Sequence, residues 1–216
     1  MIILKGVNKR FGEKRLFENL DFHVSPGTVN CLIGPSGCGK TSILNLMSGL
    51  LPPDSGEVIS SGRISYAFQE TRLLPWETVR DNAMYAMSPR LNRMERLERT
   101  GELLNQLELS EASQLRPGEI SGGMARRVSL ARALLAPHDI LLMDEPLSSL
   151  DPYLRSGIVE SLRPMLQGKS VVLVTHDYVT ATALSDRVFY LSRPPVHITE
   201  VKKNDIEGTL EEINSE

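Results

Sequence analysis

Gly34-Pro35-Ser36-Gly37-Cys38-Gly39-Lys40-Thr41 sets glycines, a lysine and a hydroxyl at the spacing of a polyphosphate cradle. Its glycines let the backbone curl so that N–H groups point inward, and the following helix adds the positive end of its dipole. Lys40 would reach the terminal phosphates as a point charge. The Thr41 hydroxyl, with Ser42 behind it, would sit on the magnesium that bridges them. A second chemical group closes the apolar run Asp139-Ile140-Leu141-Leu142-Met143 with two carboxylates, Asp144 and Glu145. Strand alternation sends these side chains in different directions, so Asp144 can serve the magnesium and Glu145 a water, although such a pair can also be a plain turn.

Further residues are singled out by where they fall. Gln69 and His176 follow the apolar runs Ile64 to Phe68 and Val171 to Val174. In an open α/β sheet, the carboxyl ends of strands line the ligand crevice. There Gln69 could meet a metal or an attacking water, and His176 could contact a γ-phosphate or hold the attacking water in line, while both residue types are commonly structural or surface groups elsewhere. Ser121-Gly122-Gly123-Met124 opens a helix-forming stretch, Ala125 to Leu135, and is either an ordinary N-cap or a second anion-binding helix start. Phe11, beside Gly12, is either a stacking platform for an adenine ring or a hydrophobic plug over a small sheet.

The elements that must position these groups can be read from periodicity. Residues 2 to 24 alternate short apolar runs with turns, as antiparallel strands do, ahead of the strand Val29 to Ile33. A helix follows the glycine loop and stops at the turn cluster Pro52-Pro53-Asp54-Ser55-Gly56, after which Glu57 to Ile59 and Ile64 to Phe68 predict strands. From about Arg72 to Ala136 the texture is helical. Leu91, Met94, Leu97, Leu104 and Leu107 predict one amphipathic helix or a broken pair. Leu73-Leu74-Pro75-Trp76, at its entry, is either an exposed docking patch or a segment buried against the helices. Strands are expected again at Ile140 to Met143, Val171 to Val174 and Val188 to Leu191. After Arg193-Pro194-Pro195 comes a polar, acidic tail, too short for another domain and expected to fray at its end.

Composition narrows the class. With 216 residues, 41% hydrophobic and 24% charged, the chain can bury a real core, and a formal net charge of -3 argues against nucleic acid as the main partner. Cys31 and Cys38 fall on a strand and inside the glycine loop, where a disulfide would distort the cradle, so reduced thiols in a cytosolic protein are expected. No apolar run approaches the length of a membrane span, so attachment to a membrane would need a partner.

Together these motifs resemble the ATP-binding subunit of an ABC transporter. Gly34 to Thr41 is similar to Walker A, Gln69 to the Q-loop, Ile120 to Met124 to the signature, Ile140 to Glu145 to Walker B, Ser148 to Asp151 to the D-loop, and His176 to the switch histidine. The signature departs from its commonest form at Ile120 and Met124, while Ser121, Gly122 and Gly123 are intact.

The resemblance implies an α/β fold: a P-loop NTPase (RecA-like) core in 1–71 and 137–192, with an N-terminal antiparallel β-subdomain. An inserted α-helical subdomain would occupy 72–136, with a short tail at 193–216. It implies ATP and Mg2+, with Glu145 and His176 catalytic, Thr41, Gln69 and Asp144 toward the metal, and Phe11, Gly34 to Ser42, Gln69, Ser121 to Met124 and Asp151 toward nucleotide. It further implies a second ATP-binding subunit, expected to be an identical chain, whose signature completes each site. An integral-membrane permease would dock on Gln69 to Trp76, a solute-binding protein would act indirectly, and the location would be the cytoplasmic face of the membrane. The Gly-Gly-Met ending and the Leu-Leu-Pro-Trp segment resemble importers of nitrate, sulfonates, taurine and thiamine precursors. A lipid-transport ATPase, a soluble ABC-type ATPase in assembly or nucleic-acid work, and a small-molecule kinase are the competing expectations.

Overall fold

Alternating apolar residues build the first two strands, β1 (Ile2–Phe11) and β2 (Lys14–Val24), into an antiparallel pair whose inner face is Ile2, Leu4, Val7, Leu20, Phe22 and Val24. The strict period is broken on β1 at Gly6, with φ 56°: the register slips between Leu4 and Val7, Val7 returns to the buried side, and further slips follow between Val7 and Lys9 and between Lys9 and Arg10. In chain order there follow β3 (Val29–Ile33), α1 (Lys40–Met47), β4 (Ser55–Ser60), β5 (Ile64–Ala67), α2 (Val79–Met84) and α3 (Arg93–Gln106). Then come α4 (Gly122–Leu135), β6 (Ile140–Asp144), α5 (Pro152–Leu166), β7 (Ser170–Val174), α6 (Tyr178–Leu184), β8 (Arg187–Leu191) and β9 (Ile198–Val201). This computed structural model describes residues 1–148, 150–203, 206 and 208–209. The chain divides into two compact units, Met1–Gly62 with Leu166–Glu216, and Arg63–Met165.

In the first unit, β4 pairs with β1 to complete the sheet β2-β1-β4. A second sheet places β3 between β7 and β8, all parallel, with β9 antiparallel on β8. Every residue of β3 and β7 is buried, as a sheet covered on both faces requires. Phe22 of β2 meets Phe189 of β8 edge to face, ring centroids 5.0 Å apart, and ties the two sheets together. β9 lies inside the polar tail, where the sequence predicts no strand. Its sequence is too short and mixed to announce a strand, and it is recruited by β8, where Arg187 grips Glu200 with two bonds of 2.6 and 2.7 Å. Within that tail, residues 204, 205, 207 and 210–216 lie outside the described ones.

In the second unit, β5 runs parallel to β6, Ala67 opposite Met143. Helix α4 is buried along most of its circumference, Val128, Leu130, Ala131, Ala133 and Leu134 included, so it is a core helix. Its Arg127 is buried too, and donates to the carbonyl oxygens of Leu107 (2.7 Å) and Glu108 (3.1 Å) at the end of α3. On α3 itself the expected apolar stripe is shifted. Leu91 precedes the helix, and Met94 in its first turn is 74% exposed. Thr100, Leu103 and Leu104 form the buried side, with Leu107 at the C-cap. The helix starts where Asn92 and Glu95 close a capping box, a local signal that overrides the outer hydrophobic positions. Among the described residues no helix is long and apolar enough to cross a membrane.

Candidate nucleotide site

The glycine loop of the first unit leaves β3 and enters α1. Gly34, Gly37 and Gly39 have φ of 154°, 74° and 105°. A Cβ on Gly34 would lie 2.5 Å from the Leu191 carbonyl oxygen, and one on Gly39 would lie 2.9 Å from the Leu16 side chain, so the back of the loop is closed by packing. Gly37 faces open space. The loop is therefore a backbone shell, closed behind and open in front, into which an anion's oxygens fit. Lys40 Nζ donates to the carbonyl oxygens of Gly34 (2.8 Å) and Pro35 (2.9 Å), folded back over the loop. Cys38 is buried there. Burial pushes its thiol up, against the opposing pull of Lys40, and no disulfide engages either cysteine.

In front of the loop lies an open cavity of about 730 Å³, bordered by residues 35–38, by Lys14 and Arg15 at the start of β2, and by Arg193 to Pro195. Its cations suit a polyanion. Phe11, the last residue of β1, is 51% exposed at the adjoining turn, with Lys9 Nζ 5.8 Å from its ring centroid. It is no plug over the sheet. His176 stands two residues beyond β7, exposed, where Thr175 donates its N–H to the Leu32 carbonyl (3.3 Å) at the end of β3. Asp177 then caps α6, accepting from the Thr180 N–H at 3.0 Å.

The second unit repeats the placement. Gln69 is exposed two residues past β5, and Asp144 ends β6, 2% exposed. Burial, and then the Asp144 carboxylate, push the Tyr66 phenol far up, so it stays a neutral neighbour of that carboxylate. Glu145 has left the strand with φ 51°, so it diverges from Asp144 through a left-handed residue rather than through the strand alternation that the sequence predicts. Ser121 caps α4, its Oγ accepting the Met124 N–H at 3.2 Å, with Gly122 and Gly123 in the first turn. Asp151 Oδ1 accepts the Leu154 N–H at 3.0 Å. Ser149, within the expected D-loop, lies outside the described residues.

Trp76 is 66% exposed, with Leu73 and Leu74 half-buried beside it. Arg132 of α4 donates to the Thr71 (2.8 Å) and Arg72 (3.0 Å) carbonyls, and buried Asn82 ties down the segment Leu74 to Thr78. Lys14, Arg15, Arg193, Asn82 and Arg132 are not marked by any motif. Only Lys14 and Arg15, just after the Phe11-Gly12 turn, carried a local signal.

Strand, glycine loop and helix on a parallel sheet define a P-loop nucleoside triphosphatase with an antiparallel β-subdomain and a helical part. A family model described as "ABC transporter" matches residues 17–148, and the chain belongs to that family. It is an ATP-binding subunit that hydrolyses ATP to drive transport. It is 40% identical over 191 residues to the aliphatic sulfonates import ATP-binding protein SsuB of Corynebacterium glutamicum, covering 87% of this chain and 79% of that protein. To the Fe(3+) ions import ATP-binding protein FbpC 1 of Haemophilus influenzae it is 37% identical, covering 89% of this chain and 63% of the relative. It thus spans less than two thirds of the iron-import relative. The dimeric ATP-binding cassette MJ0796 bound to ADP and Pi superposes with a TM-score of 0.82 at 28% identity, covering 94% of this chain and 99% of that chain.

Proposed function

We propose that the chain powers import of a small organic anion of the sulfonate class through a separate membrane permease, working as a dimer at the cytoplasmic face of the membrane. The observation that carries the mechanism is the repeated placement within each unit. The glycine loop and His176 follow the ends of adjacent parallel strands β3 and β7, and Gln69 and Glu145 follow those of β5 and β6. The sulfonate-import relative and the Leu-Leu-Pro-Trp segment, exposed at Pro75 and Trp76, support the cargo class and the docking of a permease on Gln69 to Trp76.

The residues act as follows. Phe11 stacks the adenine, residues 34–39 cradle the phosphates, and Lys40 leaves the loop carbonyls for the terminal phosphates. Glu145 takes the proton of the attacking water, and His176 holds that water in line. Gln69 senses the same water or the metal, and Ser121 to Met124 with Asp151 serve the partner's nucleotide. Among the described residues no group of three or more His, Cys, Asp or Glu forms a cage for a metal. A hydroxyl, an amide and a carboxylate, those of Thr41, Gln69 and Asp144, are hard oxygen donors of the kind Mg2+ takes, and these residues would hold it. Bound there, Mg2+ would neutralise charge on the β- and γ-phosphates.

Glu145→Gln tests the assignment. The expected result is a stable ATP-bound dimer by size-exclusion chromatography with turnover reduced to a small measurable residual. Wild-type turnover in this variant would remove Glu145 from its role.

A further inference from the structure

We infer that Arg126 is a positioning residue for hydrolysis, holding the backbone of Glu145 through Ser148. The inference rests on the proposed role of Glu145 and adds to it the group that fixes its conformation.

Glu145 has φ 51°, a region that a residue with a Cβ occupies only when its surroundings hold it there. Ser148 supplies that hold. The Glu145 carbonyl oxygen accepts from both the N–H (3.2 Å) and the Oγ (2.8 Å) of Ser148. Having given its one proton to Glu145, the Ser148 hydroxyl has only lone pairs left to offer. Arg126 meets them, its Nη1 lying 2.5 Å from Ser148 Oγ and 3.1 Å from Ser148 O. The donor count closes, since a guanidinium is a donor only and forces the hydroxyl proton toward Glu145. Reversing the hydroxyl would set N–H against O–H.

Arg126 stands on α4, the helix that Ser121 caps and that Gly122 opens. One rigid element therefore carries both the glycine-rich helix start and the cation that fixes the turn after β6. Arg126 reaches Glu145 through Ser148 in this arrangement. Its effect passes through the angle at which the Glu145 carboxylate leaves the chain, so its loss should slow the chemical step and spare nucleotide affinity.

The test is steady-state ATPase and nucleotide affinity on the full chain carrying Arg126→Ala, Arg126→Lys or Ser148→Ala, each alone and combined with Glu145→Gln. Arg126→Ala is expected to lower kcat about tenfold and Ser148→Ala about threefold, with ATP affinity held within about twofold and partial recovery in Arg126→Lys. In the Glu145→Gln background neither change should lower the residual turnover further, because both act through the same carboxylate. A wild-type kcat in Ser148→Ala, or the same fold-loss in the Glu145→Gln background as in the wild type, would overturn the inference. Ser148→Ala keeps every charge, and it decides the matter if Arg126→Ala does not fold. Should Glu145→Gln turn over normally, the role of Glu145 fails. Should Glu145→Gln be inactive while Ser148→Ala is unimpaired, only the role of Arg126 fails.

Discussion

Lys40 Nζ lies 2.8 Å from the carbonyl oxygen of Gly34, the first residue of the loop whose ligand it is positioned to hold. The lysine thus closes the loop on itself, with a second bond to Pro35, and binding a phosphate exchanges two neutral acceptors for anionic ones. Lys40→Ala should weaken ATP binding by about 10- to 100-fold, the worth of a charged hydrogen bond. Calorimetric titration checks this, and affinity within twofold of wild type would rule it out.

Phe11 is exposed at the turn beside the cavity that borders the glycine loop. Truncating it should cost adenine stacking and little stability, since its ring is not part of the core. Phe11→Ala is expected to raise the ATP dissociation constant about three- to tenfold with an unchanged melting temperature, and Phe11→Tyr to restore it. A fall in melting temperature without change in affinity would return Phe11 to a structural role.

Asn82 is fully buried and bonds Leu74 N–H (2.8 Å) and the carbonyls of Leu74, Glu77 and Thr78 (3.0 to 3.2 Å). Asn82→Ala leaves several of these groups without partners and should destabilise the chain by about 2–3 kcal/mol. Hydrogen exchange should speed up first at residues 74–78, the segment that presents Trp76. Uniform protection across that segment would count against the tether.

Asp54 accepts from Lys9 Nζ at 2.7 Å and from the Arg10 N–H at 2.8 Å, and the Lys9 bond, followed by the Arg10 one, holds its carboxyl below the usual aspartate range. A depressed folded value means that the stabilisation is present above the unfolded value, about 4, and is lost as pH falls through the lower folded one. Asp54→Asn should therefore lower the urea midpoint at neutral pH, with the gap to wild type closing in acid. A gap that is constant down to pH ~2 would exclude linkage through this carboxyl.

The motifs legible in the chain are those whose chemistry is local. A glycine loop between strand and helix needs its residues in fixed sequence, so Gly34 to Thr41 could be read directly, and so could the strand that ends in Asp144 and the one that leads to His176, because a strand buried on both faces is a continuous apolar run. Leu91 and Met94 misled because a capping box at Asn92 and Glu95 decides where α3 begins, and hydrophobic spacing does not. β9 stayed hidden because four residues become a strand only when β8 offers them an edge.

Sequence alone thus determined the class of the chain, the order of its elements and the groups that could carry chemistry. Tertiary structure decided which distant residues act together, Arg193 with Lys14 and Arg15 around the loop's cavity, and Arg126 with Ser148 behind Glu145. The left-handed turn of Glu145 belongs to the second kind as well, because nothing in a glutamate's own preferences selects it. Local propensity acts through neighbours in the chain, whereas a cation's choice of partner is settled only when folding brings a carbonyl and a hydroxyl within hydrogen-bonding reach of it.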